Sequence, residues 1–174
     1  VLSKTPGNTV SNMSSSRALR DVTVAHGGKY QASAVGEVNV VELMKKNNAI
    51  IGGEGNGGII YPESHYGRDS LVGVALFLTH LANKKMTVSA LRASYPEYYM
   101  SKNKIELTPQ IDVDAILVAM TEKYKNEDIT TIDGVKIDFA TEWVHLRKSN
   151  TEPIIRIYTE APSQEKADVL AFRI

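Results

Sequence analysis

Arg147-Lys148-Ser149-Asn150-Thr151-Glu152-Pro153-Ile154-Ile155-Arg156 gathers two guanidinium groups, two hydroxyls and an amide between the apolar run Trp143 to Leu146 and the strand-like Ile154 to Tyr158. Arginine supplies planar forked donors, Ser149 and Thr151 supply hydroxyl donors, and a tight turn before Pro153 can aim several backbone N–H groups into one concavity. That inventory suits an anion, phosphate above all. Composition leaves a second reading equally open, a solvated hairpin loop whose arginines face water.

The flanks of this stretch set the fold of the second half. Thr141 to Leu146 and Ile154 to Glu160 predict two strands around it, and Ser163 opens a helical pattern that is still running at Ile174. Upstream, Glu97 to Ile105 reads as a strand. Thr108-Pro109 offers a cap with proline at the first helical position, with Asp112 and Asp114 in the first turn of a helix reaching Tyr124. Ile129 to Ile132 and Val135 to Phe139 flank Asp133-Gly134, a two-residue hairpin signal. Strand, helix, several strands and helix make an antiparallel α+β unit.

The first half alternates strand and helix instead. Thr9 to Met13 predicts a strand, Ser14-Ser15-Ser16 caps a helix through about Val24, and His26-Gly27-Gly28 ends it. Tyr30 to Val35 is a second strand, Gly36 a turn, and Val38 to Lys46 an amphipathic helix with Val38, Val41, Leu43 and Met44 inward. Ala49-Ile50-Ile51 is a short apolar strand of the kind buried in a mixed sheet. The next segment, Gly52 to Gly58, packs five glycines around Glu54 and Asn56. Such a loop can wrap a small polar molecule or serve as a plain hairpin connection. A dinucleotide fingerprint is a weaker reading still, because Ile59-Ile60-Tyr61 reads as strand, not helix. Pro62 to Arg68 reads as a polar loop. Glu63, His65 and Asp69 beside Arg68 match no helical metal-ligand spacing, and Asp69 or Ser70 suits a helix cap. The helix expected from Leu71 to Ala82 is apolar almost all round and predicts buried core, with His80 favoured by its C-terminal dipole. His26 and His145 have no nameable partner. A short helix follows Thr87, and Tyr95-Pro96 breaks it, placing a domain boundary between residues 94 and 95.

At 174 residues and 43% hydrophobic content the chain has ample material for a core. Lys+Arg and Asp+Glu both total 20, so no net field draws it to nucleic acid or an anionic membrane. The longest apolar run, Leu71 to Leu78, is far short of the roughly 18 to 20 residues of a membrane span. Zero cysteines remove disulfides and thiolate chemistry and fit the cytoplasm. A start at Val1 and a stop inside a helical pattern read as an excised piece with a truncated final helix.

The Arg147 to Arg156 stretch resembles the phosphate-binding loop of the α-D-phosphohexomutases, the family of phosphoglucomutase, phosphomannomutase and phosphoglucosamine mutase. The pattern there is Arg-x-Ser-(Gly/Asn)-Thr-Glu-Pro-x-x-Arg, and every fixed position is present. The glycine loop is similar to the family's sugar-binding Gly-Glu-x-Ser-Gly-His: Glu54 matches the glutamate, Asn56 stands in for the serine and Gly58 for the histidine. Ala34-Val35-Gly36-Glu37 resembles the family's Val-Gly turn, with the role of Glu37 open. The resemblance implies α/β plus α+β architecture: residues 1–94 as the later part of a mixed-sheet α/β third domain, and residues 95–174 as a C-terminal domain similar in fold to the TATA-box-binding protein.

For function, the resemblance implies an isomerase acting by intramolecular phosphotransfer. It would interconvert hexose 1-phosphate and hexose 6-phosphate through hexose 1,6-bisphosphate, with Mg2+ in the full-length enzyme. Arg147, Ser149, Asn150, Thr151 and Arg156 would grip the substrate phosphate, while Glu54 and Asn56 would hold the sugar. The implied partners are a phosphosugar substrate and the N-terminal domains of the same chain. A substrate that reverses in the site favours a mobile phosphate-binding domain. Neither the family's Ser-His-Asn-Pro run nor its Asp-x-Asp-Gly-Asp-Arg magnesium loop occurs in this sequence, so no catalytic or metal residue is expected in it. The alternative is a non-catalytic module that binds phosphosugars or other anions. Which hexose is accepted stays open between glucose, mannose and glucosamine.

Overall fold

Strand β1 (Thr9–Asn12) is wholly buried as an interior strand of the first sheet. In this computed structural model, which describes residues 1–108, 110–149 and 151–174, the chain divides into two units, Val1–Pro96 and Glu97–Ile174. In the first unit, α1 (Ala18–Ala25), β2 (Tyr30–Ser33), α2 (Glu37–Lys46) and β3 (Ile51–Glu54) follow β1, so β2 and β3 flank it in parallel. Then β4 (Gly58–Tyr61) and β5 (His65–Arg68) add antiparallel strands, giving the mixed order β2-β1-β3-β4-β5. Helices α3 (Ser70–Lys84) and α4 (Val88–Ala93) complete the unit. Its core joins Val10, Val40, Met44, Ala49 and Ile60.

Four expectations shift here. The strand after α2 starts at Ile51 and takes in Gly52 and Gly53, where apolar content had placed Ala49 and Ile50 in it. A Cβ on Gly52 would lie 2.5 Å from Met44 Sδ and 2.6 Å from the Val10 carbonyl, so α2 sits too close for any side chain. The inward face of α2 is Val40 and Met44, four residues apart; Val38, expected inside, is 68% exposed. Residues 65 to 68 form an edge strand although their polarity reads as loop, because an edge strand pairs on one side and keeps polar side chains in water. The fourth is α3, where no residue is buried and Leu71 is 79% and Val74 53% exposed. Within its unit only β4 and α4 make substantial contact with this largely apolar helix. Its caps follow expectation: Asp69 accepts from the Val72 N–H.

The second unit runs β6 (Tyr99–Glu106), α5 (Val113–Lys123), β7 (Asp128–Thr130), β8 (Val135–Asp138), β9 (Trp143–Lys148), β10 (Ile154–Ala161) and α6 (Gln164–Arg173). All its strand pairs are antiparallel, in the order β6-β10-β9-β8-β7. Val135, Ile137, Val144, Leu146, Ile155 and Ile157 alternate onto one face and meet Val113 and Met120 of α5 and Leu170 of α6. Both helices therefore cover one face, as an α+β layer requires. The start of α5 differs from expectation: Asp112 is its cap, accepting from the Ala115 N–H at 3.0 Å, and Pro109 lies outside the described residues. Ser163 caps α6 as predicted. No helix among the described residues is long and apolar enough to cross a membrane.

Candidate functional site

Both helices of the second unit pack on the sheet face that carries Val144, Leu146 and Ile157, so Arg147 and Arg156 lie on the opposite face, together with the buried Trp143, His145 and Glu160. Arg147 on β9 and Arg156 on β10 are direct cross-strand partners, so both guanidinium groups rise side by side from that face. Lys104 and Lys102 of β6 pair with Arg156 and Tyr158 in the next register positions and extend the basic row. Like charges placed opposite each other repel. Two carboxylates offset this: Arg156 Nη2 donates to Glu152 Oε2 at 2.7 Å, and Arg147 Nη1 lies 3.9 Å from Asp133 Oδ2. Arg156 Nη1 also donates to the Tyr158 hydroxyl, which is the main cause raising the arginine's already high pKa.

Between the two arginines the chain turns tightly. Ser149 N–H donates to the Ile154 carbonyl at 2.9 Å and Ile154 N–H to the Glu152 carbonyl at 2.8 Å, closing the loop on itself. Within it the Thr151 N–H points to Ser149 Oγ at 3.4 Å, and the two hydroxyls are 3.5 Å apart. Ser149 is buried while Thr151 is exposed. Two guanidiniums and two adjacent hydroxyls beside a turn can donate to the oxygens of one tetrahedral anion. Asn150, expected to join them, lies outside the described residues. His145 is buried on the same strand and its Nε2 donates to the Asp133 carbonyl at 2.7 Å, a backbone partner that no local motif announces.

In the first unit the glycine segment is a hairpin: Glu54 pairs with Gly58 across a turn made by Gly55, Asn56 and Gly57. Asn56 Oδ1 accepts from the Gly58 N–H at 3.1 Å, so its amide group fastens the turn and leaves the NH2 as a donor. The side chain of Glu54 is only 5% exposed. Its Oε1 accepts from Asn12 Nδ2 at 2.9 Å and from the Gly36 N–H at 3.2 Å, and its Oε2 lies 3.3 Å from Arg68 Nη1. Gly36, at φ 121°, holds a left-handed conformation that presents this N–H.

Beside the hairpin an open groove of about 470 Å³ is lined by Glu37, Asn56, Gly57, Gly58, Arg68 and Ser70. Glu37 accepts from Arg68 twice, at 2.9 Å from its backbone N–H and 2.9 Å from Nε. Those two bonds, the backbone one first, hold the Glu37 carboxyl below the usual carboxylate range. Sequence reasoning gave Glu37 no role and saw Arg68 only among the polar residues before α3. Nearby, His65 Nε2 meets Asp69 Oδ2 at 3.0 Å, and Asp69 is held low by the Val72 N–H and then by His65. No three His, Cys, Asp or Glu side chains among the described residues are placed to hold a metal ion.

Residues 2–99 match the family described as phosphoglucomutase/phosphomannomutase, alpha/beta/alpha domain III, and residues 103–174 match the phosphoglucomutase/phosphomannomutase C-terminal domain. The chain is 37% identical over 161 residues to a phosphoglucomutase/phosphomannomutase of Thermococcus kodakarensis, covering 92% of this chain and 35% of that protein. It is 36% identical to a phosphoglucosamine/phosphogalactosamine mutase of Sulfurisphaera tokodaii, covering 92% of this chain and 36% of that one. It thus spans about a third of the length of these curated relatives. In fold it superposes on a phosphoglucomutase/phosphomannomutase family protein of Burkholderia thailandensis with a TM-score of 0.79 at 24% identity, over 99% of this chain and 38% of the other. The mixed α/β unit and the antiparallel α+β unit are therefore domain III and the C-terminal domain of one architecture, and the chain belongs to the phosphoglucomutase/phosphomannomutase family.

Proposed function

We propose that this chain is the sugar- and phosphate-holding part of a phosphohexomutase that interconverts hexose 1-phosphate and hexose 6-phosphate through a bisphosphorylated intermediate. The observation that carries the reading is the cross-strand pair Arg147 and Arg156, which flanks the turn bearing the Ser149 and Thr151 hydroxyls. Phosphoryl transfer depends on positioning and charge stabilisation, so a loop that grips the phosphate not undergoing reaction shortens the search for the reactive geometry. In this reading Arg147, Ser149, Asn150, Thr151 and Arg156 hold that phosphate, and Glu54 and Asn56 register the sugar. Among the described residues no three His, Cys, Asp or Glu side chains are grouped to hold a metal ion, and no step here runs through Mg2+. The 174 residues by themselves bind ligand weakly and catalyse nothing. The lack of cysteine suits the reducing cytoplasm, where we place the enzyme.

Arg147→Ala is expected to weaken hexose 6-phosphate binding about thirtyfold, since a charge-assisted hydrogen bond carries about 1.5 to 3 kcal/mol. Calorimetric titration of wild type and variant decides it; equal dissociation constants would sink the phosphate assignment. Mutase turnover by this chain alone would refute its purely binding role.

A further inference from the structure

Gly58 occupies the place of the histidine in the resembling sugar loop, and the structure shows what fills the space. A Cβ on Gly58 would overlap Arg68 Cδ and Cγ, so the arginine lies directly across the glycine. Its stem is fixed from two sides. Glu37 grips its N–H and Nε, and the buried Glu54 carboxylate faces Nη1. Nη2 has no protein partner among the described residues, and the side chain is 44% exposed at the groove. Glu54 itself has Oε1 taken by two donors, so much of its accepting capacity is spent inside the protein.

We propose that Arg68, drawn over Gly58 by Glu37 and Glu54, is the cationic donor to the sugar hydroxyls of a phosphohexose, and that Glu37 is its positioning residue. This rests on the reading of the chain as a phosphosugar binder. The charges argue for the sugar over a second phosphate. Two carboxylates around one guanidinium leave the cluster at net negative one, which repels a phosphate dianion and accepts a polyol. The groove itself is lined by the polar groups of Glu37, Asn56, Arg68 and Ser70, a lining that suits hydroxyls. Nη2 keeps two N–H donors in the plane fixed by the two carboxylates, enough for two neighbouring hydroxyl oxygens.

The test titrates the whole chain with glucose 6-phosphate, mannose 6-phosphate, glucosamine 6-phosphate and inorganic phosphate. NMR follows the Arg68 Nε–Hε signal and the Thr151 amide. In wild type, at least one sugar phosphate should move both signals, and inorganic phosphate only the Thr151 amide. Arg68→Met should weaken that sugar phosphate about tenfold and leave inorganic phosphate unchanged. Arg68→Lys keeps a cation between the carboxylates, so the fold is preserved, and it should lose affinity in the same direction. Moving the cation back, with Gly58→His combined with Arg68→Gly, should recover part of the loss. If Arg68→Met and Arg68→Lys both bind like wild type while Arg147→Ala weakens binding, the Arg68 assignment is wrong and the phosphosugar reading stands. If no sugar phosphate moves either signal, both fall.

Discussion

Gly52 shows how one missing side chain sets the spacing of a layer. The strand it sits on must pass under α2, and Met44 Sδ and the Val10 carbonyl already occupy the space a Cβ would need. Both neighbours belong to the core, Met44 and Val10 being completely buried, so neither has room to retreat. Gly52→Ala should therefore destabilise the first unit by about 1 to 3 kcal/mol, the usual cost of overpacking a filled interior. Hydrogen exchange at the amides of β1 and β3 measures it, and unchanged protection would show that α2 shifts freely. Glu54, two residues on, is constrained differently: its contacts with Asn12, Gly36 and Arg68 tie three separate segments to the hairpin end.

Strand β9 carries a buried histidine, and its titration couples protonation to the stability of the second unit. Burial, chiefly, lowers the pKa of His145 below its ordinary 6.5; Lys136 and Arg147 push the same way, against the Asp133 carbonyl and carboxylate. The folded state then binds fewer protons than the unfolded one below that value. Its contribution is complete above about pH 6.5 and is lost as pH falls toward the lower folded pKa. His145 is the one histidine between Glu97 and Ile174, so a His145→Gln variant should flatten the fall in unfolding midpoint between pH 7 and 5. An unflattened profile would mean that carboxylates carry the effect. The elements legible in sequence were those with local signals: the alternation of β9 and β10, the caps at Asp69 and Ser163, and the turn between Arg147 and Arg156. Helix α3 misled because a largely apolar pattern predicts burial by something, and the first unit supplies only β4 and α4. The groove was half legible. Glu54 and Asn56 follow from the glycine loop, whereas Glu37 and Arg68 stand 31 residues apart and meet only because β5 folds back along β4 toward the start of α2.

Taken whole, the chain has two separate cores, one joining Val10, Val40, Met44, Ala49 and Ile60, the other built on β8, β9, β10, α5 and α6. The groove at Arg68 belongs to the first and the turn between Arg147 and Arg156 to the second, so each can be altered without emptying the other's interior. Cavities in cores that share no residues act additively, and deleting most of a buried Met or Ile side chain costs about 2 to 5 kcal/mol. Trp143, the chain's one tryptophan, is fully buried on β9, so its fluorescence reports on the sheet of the second unit. Ile137→Ala should lower the denaturant midpoint of that signal, because Ile137 is completely buried in the core of the same sheet. Met44→Ala should leave the Trp143 midpoint in place while it weakens hydrogen-exchange protection in α2 and β3. A Trp143 midpoint that falls as far for Met44→Ala as for Ile137→Ala would show that the two units unfold as one block, and affinity losses measured at either site would then include a share of global stability.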